Sequence, residues 1–297
     1  MKAGERGFLL LSSHLGDPER KPLTTAQLRT LASRVQASQR PDADRDLAPE
    51  DLIALGYSRE MAQSVCLLLS QERLLDEYLK QGASCGCIPV TRVSDDYPLL
   101  LRKRLGLDSP GCLWCKGDVT LLKQPAVALV GSRDLLQRNR AFAAEVGRQA
   151  ACQGYVLVSG NARGADRTAQ ESCLAAGGQV ISVVADELHK QPMCEHVLYV
   201  SEDGFAEAFS SQRALSRNRI IHALGLKTFV AQSSLKMGGT WDGTVKNLRN
   251  RWSDVYCFHD GSEAMRLLEQ MGANLVDLDA LASFYDLQKK EENLFDR

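Results

Sequence analysis

From about residue 126 onward, the chain alternates short apolar runs with longer segments in which apolar residues recur at helical spacing. The apolar runs are short and uninterrupted, which predicts strands buried on both faces, because a half-exposed strand alternates apolar and polar residues. Strands that alternate with helices are typical of a parallel α/β sheet with helices on both faces. The predicted strands are 127–130, 155–158, 180–184, 196–200, 227–231 and 255–258.

The first part of the chain has a different pattern, with apolar residues at helical spacing. Thr24 and Thr25 precede one such stretch and are candidate helix caps, and Gly82 is expected to end the last helix. The sequence therefore predicts an N-terminal helical module over residues 1–82 and an α/β domain over residues 83–297. The helical module either contacts a DNA backbone or a protein partner, or only packs against the rest of the chain.

Four predicted loops share one composition, in which glycine, serine or threonine stands beside arginine or lysine. Loops that lead from a strand into a helix place backbone N–H groups, and the positive end of a helix dipole, at the carboxyl edge of the sheet. Arginine adds a planar guanidinium that can bind a phosphate through two parallel hydrogen bonds. Such loops gather along one crevice of a parallel sheet, which predicts a phosphate groove unless the glycines only turn corners and the arginines are solvated. The predicted phosphate-binding residues are Gly131, Ser132, Arg133, Ser159, Gly160, Arg163, Gly164, Arg217, Asn218, Arg219, Lys236, Gly238, Gly239 and Thr240.

Several residues close to these loops carry more specific predictions. Trp241 is the predicted base-stacking residue, with Trp252 next, because bases splayed from a phosphate track stack on aromatic rings. Core packing is the alternative for Trp241. Asp166 is expected to cap a helix or to hold Arg163, since a carboxylate cannot bind a phosphate directly. His222 is expected on the surface of a helix.

The overall charge limits the kind of nucleic-acid surface that the chain can carry. A formal net charge of −1 over 297 residues leaves room for a local groove but not for a uniformly basic surface. Apolar residues make up 44% of the chain, which is ordinary for a globular protein. The sequence contains no long apolar run and no signal-peptide core, so a cytoplasmic protein without a membrane contact is expected.

The nine cysteines are scattered, which predicts buried, reduced thiols and no disulfide framework. The spacings within two pairs, Cys85 with Cys87 and Cys112 with Cys115, also raise the possibility of a zinc site. The second pair lies in a predicted strand, where residues three apart point to opposite faces and chelate poorly. We therefore expect neither a metal nor a cofactor.

Five short motifs stand in a characteristic order along the chain. They are Asp96-Tyr97-Pro98, Lys116-Gly117-Asp118, Val130-Gly131-Ser132-Arg133, Ser159-Gly160-Asn161-Ala162-Arg163-Gly164-Ala165-Asp166 and Arg217-Asn218-Arg219-Ile220-Ile221. Their order resembles that of the DprA/Smf family of DNA-processing proteins, over roughly residues 50 to 280. The joint order is far more specific than any one of the motifs.

The resemblance implies both a fold and a function. The fold is an extended Rossmann-like, mostly parallel sheet, preceded by a small SAM-like helical module. The function is that of a cytoplasmic bacterial protein that binds single-stranded DNA in DNA processing or recombination, including DNA uptake and natural transformation. The family also implies a homodimer and transfer of the strand to the recombinase RecA. No catalytic residue is expected.

The segment that follows Lys236 departs from the usual family pattern and resembles a divergent branch, because it reads Gly238-Gly239-Thr240-Trp241. It also loosely resembles the motif with which related Rossmann-like proteins hydrolyse nucleotide N-glycosidic bonds. That reaction needs a carboxylate to stabilise the developing sugar cation or to activate water, and Asp242 is the candidate. A nucleotide sensor or a nucleotide N-glycoside hydrolase, for example in phage defence, is therefore the second hypothesis.

Overall fold

A single mixed β-sheet lies at the centre of the computed structural model, which describes residues 1–38 and 47–287. Within those residues the sheet has nine strands, β1 (Ile88–Thr91), β2 (Cys112–Lys116), β3 (Ala126–Val130), β4 (Val156–Ser159), β5 (Val180–Val183), β6 (Val197–Ser201), β7 (Lys227–Val230), β8 (Asp254–Phe258) and β9 (Asn274–Val276). Their order across the sheet is β1-β2-β6-β5-β4-β3-β7-β8-β9.

The sheet is mostly parallel, as the sequence predicts. Strands β3 to β9 run parallel to their neighbours, and β1 and β2 add an antiparallel edge beside β6. Each predicted strand matches an observed one to within one residue at either end. This agreement has a simple cause, since a strand such as β3 is buried along its whole length and must be apolar at every position.

In the described part of the chain, five α-helices precede the sheet: α1 (Ala3–Ser12), α2 (Thr25–Ala37), α3 (Pro49–Ala54), α4 (Arg59–Leu69) and α5 (Glu72–Ser84). Helix α2 begins at the predicted cap, where the Thr24 hydroxyl accepts a hydrogen bond from Gln27 N. Helices α2, α3 and α4 enclose a small apolar core that includes Leu31, Leu52 and Val65. The predicted helical character of this segment is therefore confirmed for the residues that the structure describes.

Two of these helices also pack on the sheet. Leu9 and Leu10 of α1 lie in the same core as β3. Tyr78 of α5 packs against Trp114 of β2 and against Phe205, at distances between ring centroids of 5.2 and 4.7 Å. The helical segment thus shares a core with the sheet, in addition to its own.

Gly82 lies inside α5, so the prediction that it ends this helix is wrong. A Cβ atom at this position would lie 3.0 Å from both Cys87 O and the Trp114 ring, which is closer than most real Cβ contacts. Glycine is therefore required here by the close approach of α5 to the sheet, and not by a turn of the backbone.

Up to residue 287, seven further α-helices accompany the strands: α6 (Leu99–Leu105), α7 (Gln137–Cys152), α8 (Ala165–Ala175), α9 (Ser211–Ser216), α10 (Asn218–Leu224), α11 (Gly238–Asn250) and α12 (Glu263–Gln270). They cover both faces of the sheet, and alternate residues of β3 enter two different cores. Val127 and Leu129 pack with α7 and α8 on one face, whereas Ala128 and Val130 pack with α10, α11 and α12 on the other.

The cysteines of β2 illustrate the same alternation. Cys112 belongs to one core and Cys115 to the other, so the two thiols face opposite sides of the sheet, as predicted. Burial raises the pKa of both thiols. Within residues 1–38 and 47–287, no group of three or more His, Cys, Asp or Glu residues is placed to hold a metal ion. No helix in that part of the chain is long and apolar enough to span a bilayer.

The chain changes direction across the sheet next to β3. Strands β4, β5 and β6 follow β3 toward one edge, and the chain then returns to place β7 on the other side of β3. Loops that leave the carboxyl ends of two such neighbouring strands diverge, and a crevice opens between them. Ligands of open α/β sheets bind in crevices of this kind.

Candidate functional site

A crevice of about 490 Å³ opens at this switch point, beyond the carboxyl ends of β3 and β7. Its walls are the loop after β3, the start of α8, the junction of α9 and α10, and the first turn of α11. Eight of the predicted phosphate-binding residues, which the sequence distributes over separate loops, line this one crevice. They are Gly131, Ser132, Arg133, Arg217, Asn218, Gly238, Gly239 and Thr240.

The loop after β3 is fixed to both neighbouring segments. Ser132 N donates a hydrogen bond to Gln232 O at 3.0 Å, beyond β7, and Ser132 O accepts one from Ala165 N at 3.1 Å, in α8. A Cβ atom on Gly131 would collide with Ala165 Cβ, so glycine allows α8 to approach. The backbone N–H of Ser132, a predicted phosphate donor, is therefore already engaged, and the loop holds Arg133 in a defined position.

Arg133 is the exposed cation of the crevice. Among the described residues, its guanidinium has no hydrogen-bond or ion-pair partner. Arg163, by contrast, lies outside the crevice lining and pairs with Asp134, with 2.9 Å between Nη2 and Oδ1. Both partners of that pair are well exposed, at 73% and 87%, so the pair is worth little free energy and can exchange with other ions.

Gly164 forms the turn into α8 with a φ of +88°, a conformation that favours glycine. A side chain there would also collide with the carbonyl oxygens of Ser132 and Arg133. Glycine is therefore required at position 164 by the backbone conformation and by close packing under the loop. Gly164 does not line the crevice.

Asp166 and Arg217 form a buried, charged floor of the crevice, with 7% and 8% of their surfaces exposed. Burial raises the pKa of Asp166 to about 6, although the positive charge of Arg217 opposes this shift. Burial likewise lowers the pKa of Arg217. Asp166 therefore faces Arg217, so the predicted alternative in which it holds Arg163 is wrong. Asp166 lies in the first turn of α8, and its Oδ2 accepts a hydrogen bond from Ala162 N at 3.3 Å, just before that helix.

Three other predicted phosphate contacts are engaged inside the protein or beside the crevice. Ser159 and Gly160 are buried, and Ser159 Oγ accepts a hydrogen bond from Gln170 Nε2 at 2.6 Å. Arg219 forms a bidentate ion pair with Glu202, with 2.9 Å between Nη1 and Oε1. Charge neutralisation by Glu202 makes Arg219 a weak candidate for a phosphate contact.

The first turn of α11 faces the crevice without a side-chain cap. Its backbone N–H groups have no partners within the helix, and the helix dipole adds positive potential at this end. Asn218 Nδ2 donates to Gly239 O at 3.1 Å, so Asn218 holds the start of α11 in place. Lys236 is exposed on the turn just before this helix, next to the crevice lining.

Two aromatic predictions disagree with the positions that the structure assigns. Trp241 is only 7% exposed and packs in the core beneath α11, so its ring face is not available to a base. His222 is buried and not on a helix surface; Asn247 Nδ2 lies 3.2 Å from its Nδ1, and burial lowers its pKa to about 3. Both residues turn inward because α10 and α11 pack on the same face of the sheet.

Three exposed apolar residues line the crevice and were missed by sequence reasoning. Phe209, Leu215 and Met237 are 56%, 47% and 70% exposed. The signal in the sequence is a single aromatic residue in the segment 206–212, whose other residues are alanine, glutamate, serine and glutamine. Such a signal does not indicate that the loop lies beside the start of α11.

A second depression, of about 930 Å³, lies beside the crevice, and Leu215, Asn218 and Gly239 line both. Asp242, the candidate carboxylate for nucleotide hydrolysis, lines this depression and not the crevice. Trp252, the second candidate for base stacking, lines it as well and is half-buried.

Comparison with known proteins supports the family that the order of motifs indicates. Residues 89–278, more than half of the chain, match the family described as DNA recombination-mediator protein A. The DNA processing protein DprA of Bacillus subtilis (strain 168) is 30% identical over 177 residues, which cover 56% of this chain and 58% of that protein. The DprA of Streptococcus pneumoniae is 32% identical over 192 residues, which cover 60% of this chain and 68% of the relative. The matched segment thus spans less than two thirds of the Bacillus protein.

Solved structures show the same fold. The structure of DprA from Streptococcus pneumoniae superposes with a TM-score of 0.73 at 24% identity, and covers 97% of this chain and 100% of that one. DNA processing protein A from Helicobacter pylori, whose structural study concerns its single-stranded DNA binding mode, gives a TM-score of 0.55 at 24% identity, over 66% and 94% of the two chains. By its family match, its motifs and its fold, the chain belongs to the DNA recombination-mediator protein A family, known as DprA/Smf.

Proposed function

We propose that the chain binds single-stranded DNA through its phosphate backbone, in DNA processing or recombination. The observation that carries this proposal is the position of Arg133, an exposed guanidinium beside the uncapped N-terminus of α11 at the switch point of the sheet. Both groups attract an anion and neither reads the edge of a base. The contact is therefore expected to be indifferent to sequence.

The charges of the crevice limit how many phosphates it can neutralise. Asp166 faces Arg217, and Asp134 pairs with Arg163, so these four charges largely cancel. Arg133 and Lys236 are the remaining cations. Each phosphate neutralised on a single strand contributes about −0.7 to the slope of log affinity against log salt, which gives about −1.4 for these two residues.

The relatives support the choice of ligand. The Helicobacter pylori protein of the same fold binds single-stranded DNA, and the two DprA proteins of Bacillus and Streptococcus are DNA-processing proteins by name. Self-association and transfer of the strand to RecA, which the motifs imply by resemblance, belong to the proposal. So does binding without chemical conversion, because Asp242 lies outside the crevice.

Fluorescence anisotropy with labelled oligo-dT strands of about five to forty nucleotides tests this proposal. Affinity should rise with strand length and fall with salt, and mononucleotides should not displace the strand. Weak binding that does not depend on length, together with saturation by a mononucleotide, would contradict the proposal. That result would favour the nucleotide sensor or hydrolase, with Asp242 as the next residue to change.

The variant Arg133→Ala tests the crevice itself. It should weaken binding to all sequences to a similar degree and flatten the salt slope by about 0.7, because one phosphate contact is lost. Arg249→Ala is a matched control, since Arg249 is an exposed arginine in the last turn of α11, at the opposite end of that helix from the crevice. Unchanged affinity and slope in Arg133→Ala would disprove the assignment of the groove to this crevice.

A further inference from the structure

The phosphate crevice has an apolar lip, formed by Phe209, Leu215 and Met237. Single exposed apolar side chains are common on protein surfaces, but here three large ones, each about half exposed or more, line the same polar crevice. Phe209 is the only aromatic residue among those that line the crevice in the described part of the chain.

Although its ring is exposed, Phe209 stands on a loop that is held in place. The Arg213 guanidinium donates hydrogen bonds to Glu207 O at 2.8 Å and to Ala208 O at 2.7 Å, immediately before Phe209. Immediately after it, the Ser210 hydroxyl caps α9 by accepting a hydrogen bond from Arg213 N at 3.1 Å. The ring is therefore presented without the entropic cost of ordering a loose loop on binding.

We propose that Phe209 stacks on a nucleobase of the bound strand, with Leu215 and Met237 completing an apolar surface around that base. This inference rests on the proposed DNA-binding function and adds the contact to the base. Bases of a strand held by its phosphates point away from the phosphate track and stack on nearby aromatic rings. Every base has a π-face, so such a contact tolerates any sequence, and the Met237 thioether adapts its shape to the base beside it.

The test separates contacts to bases from contacts to phosphates. Affinity is measured for a labelled oligo-dT strand and for an abasic strand with the same number of phosphates. Phe209→Ala should weaken binding of oligo-dT by about tenfold and leave the salt slope and the affinity for the abasic strand unchanged. Phe209→Tyr, which keeps an aromatic ring, should bind oligo-dT as tightly as the unaltered chain. Phe209→Leu, which is apolar without a ring, should bind oligo-dT more weakly. Tyr285→Ala controls for the loss of an exposed ring, because Tyr285 is 87% exposed and lies outside the crevice lining.

Three outcomes would overturn stacking by Phe209 while the DNA groove still stands. The first is an unchanged affinity of Phe209→Ala for oligo-dT, and the second is an affinity of Phe209→Leu for oligo-dT equal to that of the unaltered chain. The third is an equal loss of affinity of Phe209→Ala for the oligo-dT and abasic strands, which would mean that Phe209 only shapes the crevice. Failure of the unaltered chain to bind oligo-dT would overturn the proposed function, and this inference with it. Thermal unfolding of each variant checks that the fold is retained.

Discussion

At the scale of single residues, Gly160 has no room for a side chain, because the Arg217 guanidinium and the Asp166 carboxylate lie against its Cα. An added Cβ atom would overlap atoms of both groups. Gly160→Ala must therefore displace two buried charges, and we expect it to lower the free energy of unfolding by about 3 kcal/mol or more. Chemical denaturation monitored by circular dichroism measures this change.

Gly7→Ala is the control for that substitution. Gly7 lies inside α1, and a Cβ atom there would meet nothing within 4 Å. Alanine is the better helix former, so Gly7→Ala should raise the free energy of unfolding by about 0.5 to 1 kcal/mol. A small effect of Gly160→Ala, similar in size to that of Gly7→Ala, would show that the floor of the crevice can rearrange at little cost.

At the scale of elements, the turn between β7 and α11 allows the charge of Lys236 to be removed without a change in the backbone conformation. Lys236 has a φ of +53°, and the turn is closed by a bridge between Ser234 and Met237. Lys236→Gly removes the cation and retains this conformation, whereas alanine would leave the strain. We expect Lys236→Gly to change the free energy of unfolding by less than about 1 kcal/mol and to flatten the salt slope of DNA binding by about 0.7.

The contrast between these two readouts makes the result interpretable. Lower affinity with unchanged stability would assign the effect to the lost charge on the turn. A Lys236→Gly variant that binds oligo-dT with unchanged affinity and slope would remove Lys236 from the groove and leave Arg133 as its exposed cation.

The elements of the sheet were predictable because their cause is local. A strand buried on both faces leaves an uninterrupted apolar run in the sequence, and the residues that follow it must lie at the carboxyl edge of the sheet. Gly131, Ser132 and Arg133 reach the crevice for this reason. The same reasoning supports the placement of the first turn of α11, which follows β7 after a short loop.

The partners of individual side chains were not predictable, because they depend on contacts between distant segments. The Arg163–Asp134 pair joins the loops after β4 and β3, and the Arg219–Glu202 pair joins α10 to the residue after β6, so both pairs form only once the sheet and its helices have assembled. Trp241 follows two glycines and a threonine in a segment that resembles a loop, yet helix formation from Gly238 turns its ring into the core. Local sequence carries no information about any of these pairings.

At the scale of the whole molecule, the fold explains how a chain of net charge −1 can present the polyanion site that we propose. The reversal of strand order at β3 collects one exposed arginine, one uncapped helix terminus and an apolar lip in a single crevice. The other charges of the crevice are paired or buried, so binding depends on few contacts. A groove of this kind favours a ligand that combines phosphates with stackable bases over a bare polyanion.

The buried carboxylate beneath the crevice links the stability of the chain to pH. The pKa of Asp166 in the folded protein is about 6, above its ordinary value of 3.8, because burial disfavours the charged form. Arg217 and Arg133 oppose this shift, and Asp186 is a further charge that acts on Arg217. Between about pH 4 and pH 6, the folded state therefore keeps a proton on Asp166 that the unfolded state has already released. Protonation of Asp166 thus adds to the free energy of unfolding below this range, and the contribution is lost as the pH rises through about 6.

Asp166→Asn removes this titration and leaves all other groups in place. The free energy of unfolding of the unaltered chain, minus that of Asp166→Asn, should increase as the pH falls from 7 to 4.5, by roughly 2 kcal/mol for a pKa shift of about two units. Urea denaturation of both proteins at several pH values measures the difference, and titrations common to both cancel in the subtraction. A difference that stays constant over this range would mean that Asp166 is ionised throughout, held by Arg217. The charged floor of the crevice would then be a permanent ion pair and would not titrate with pH.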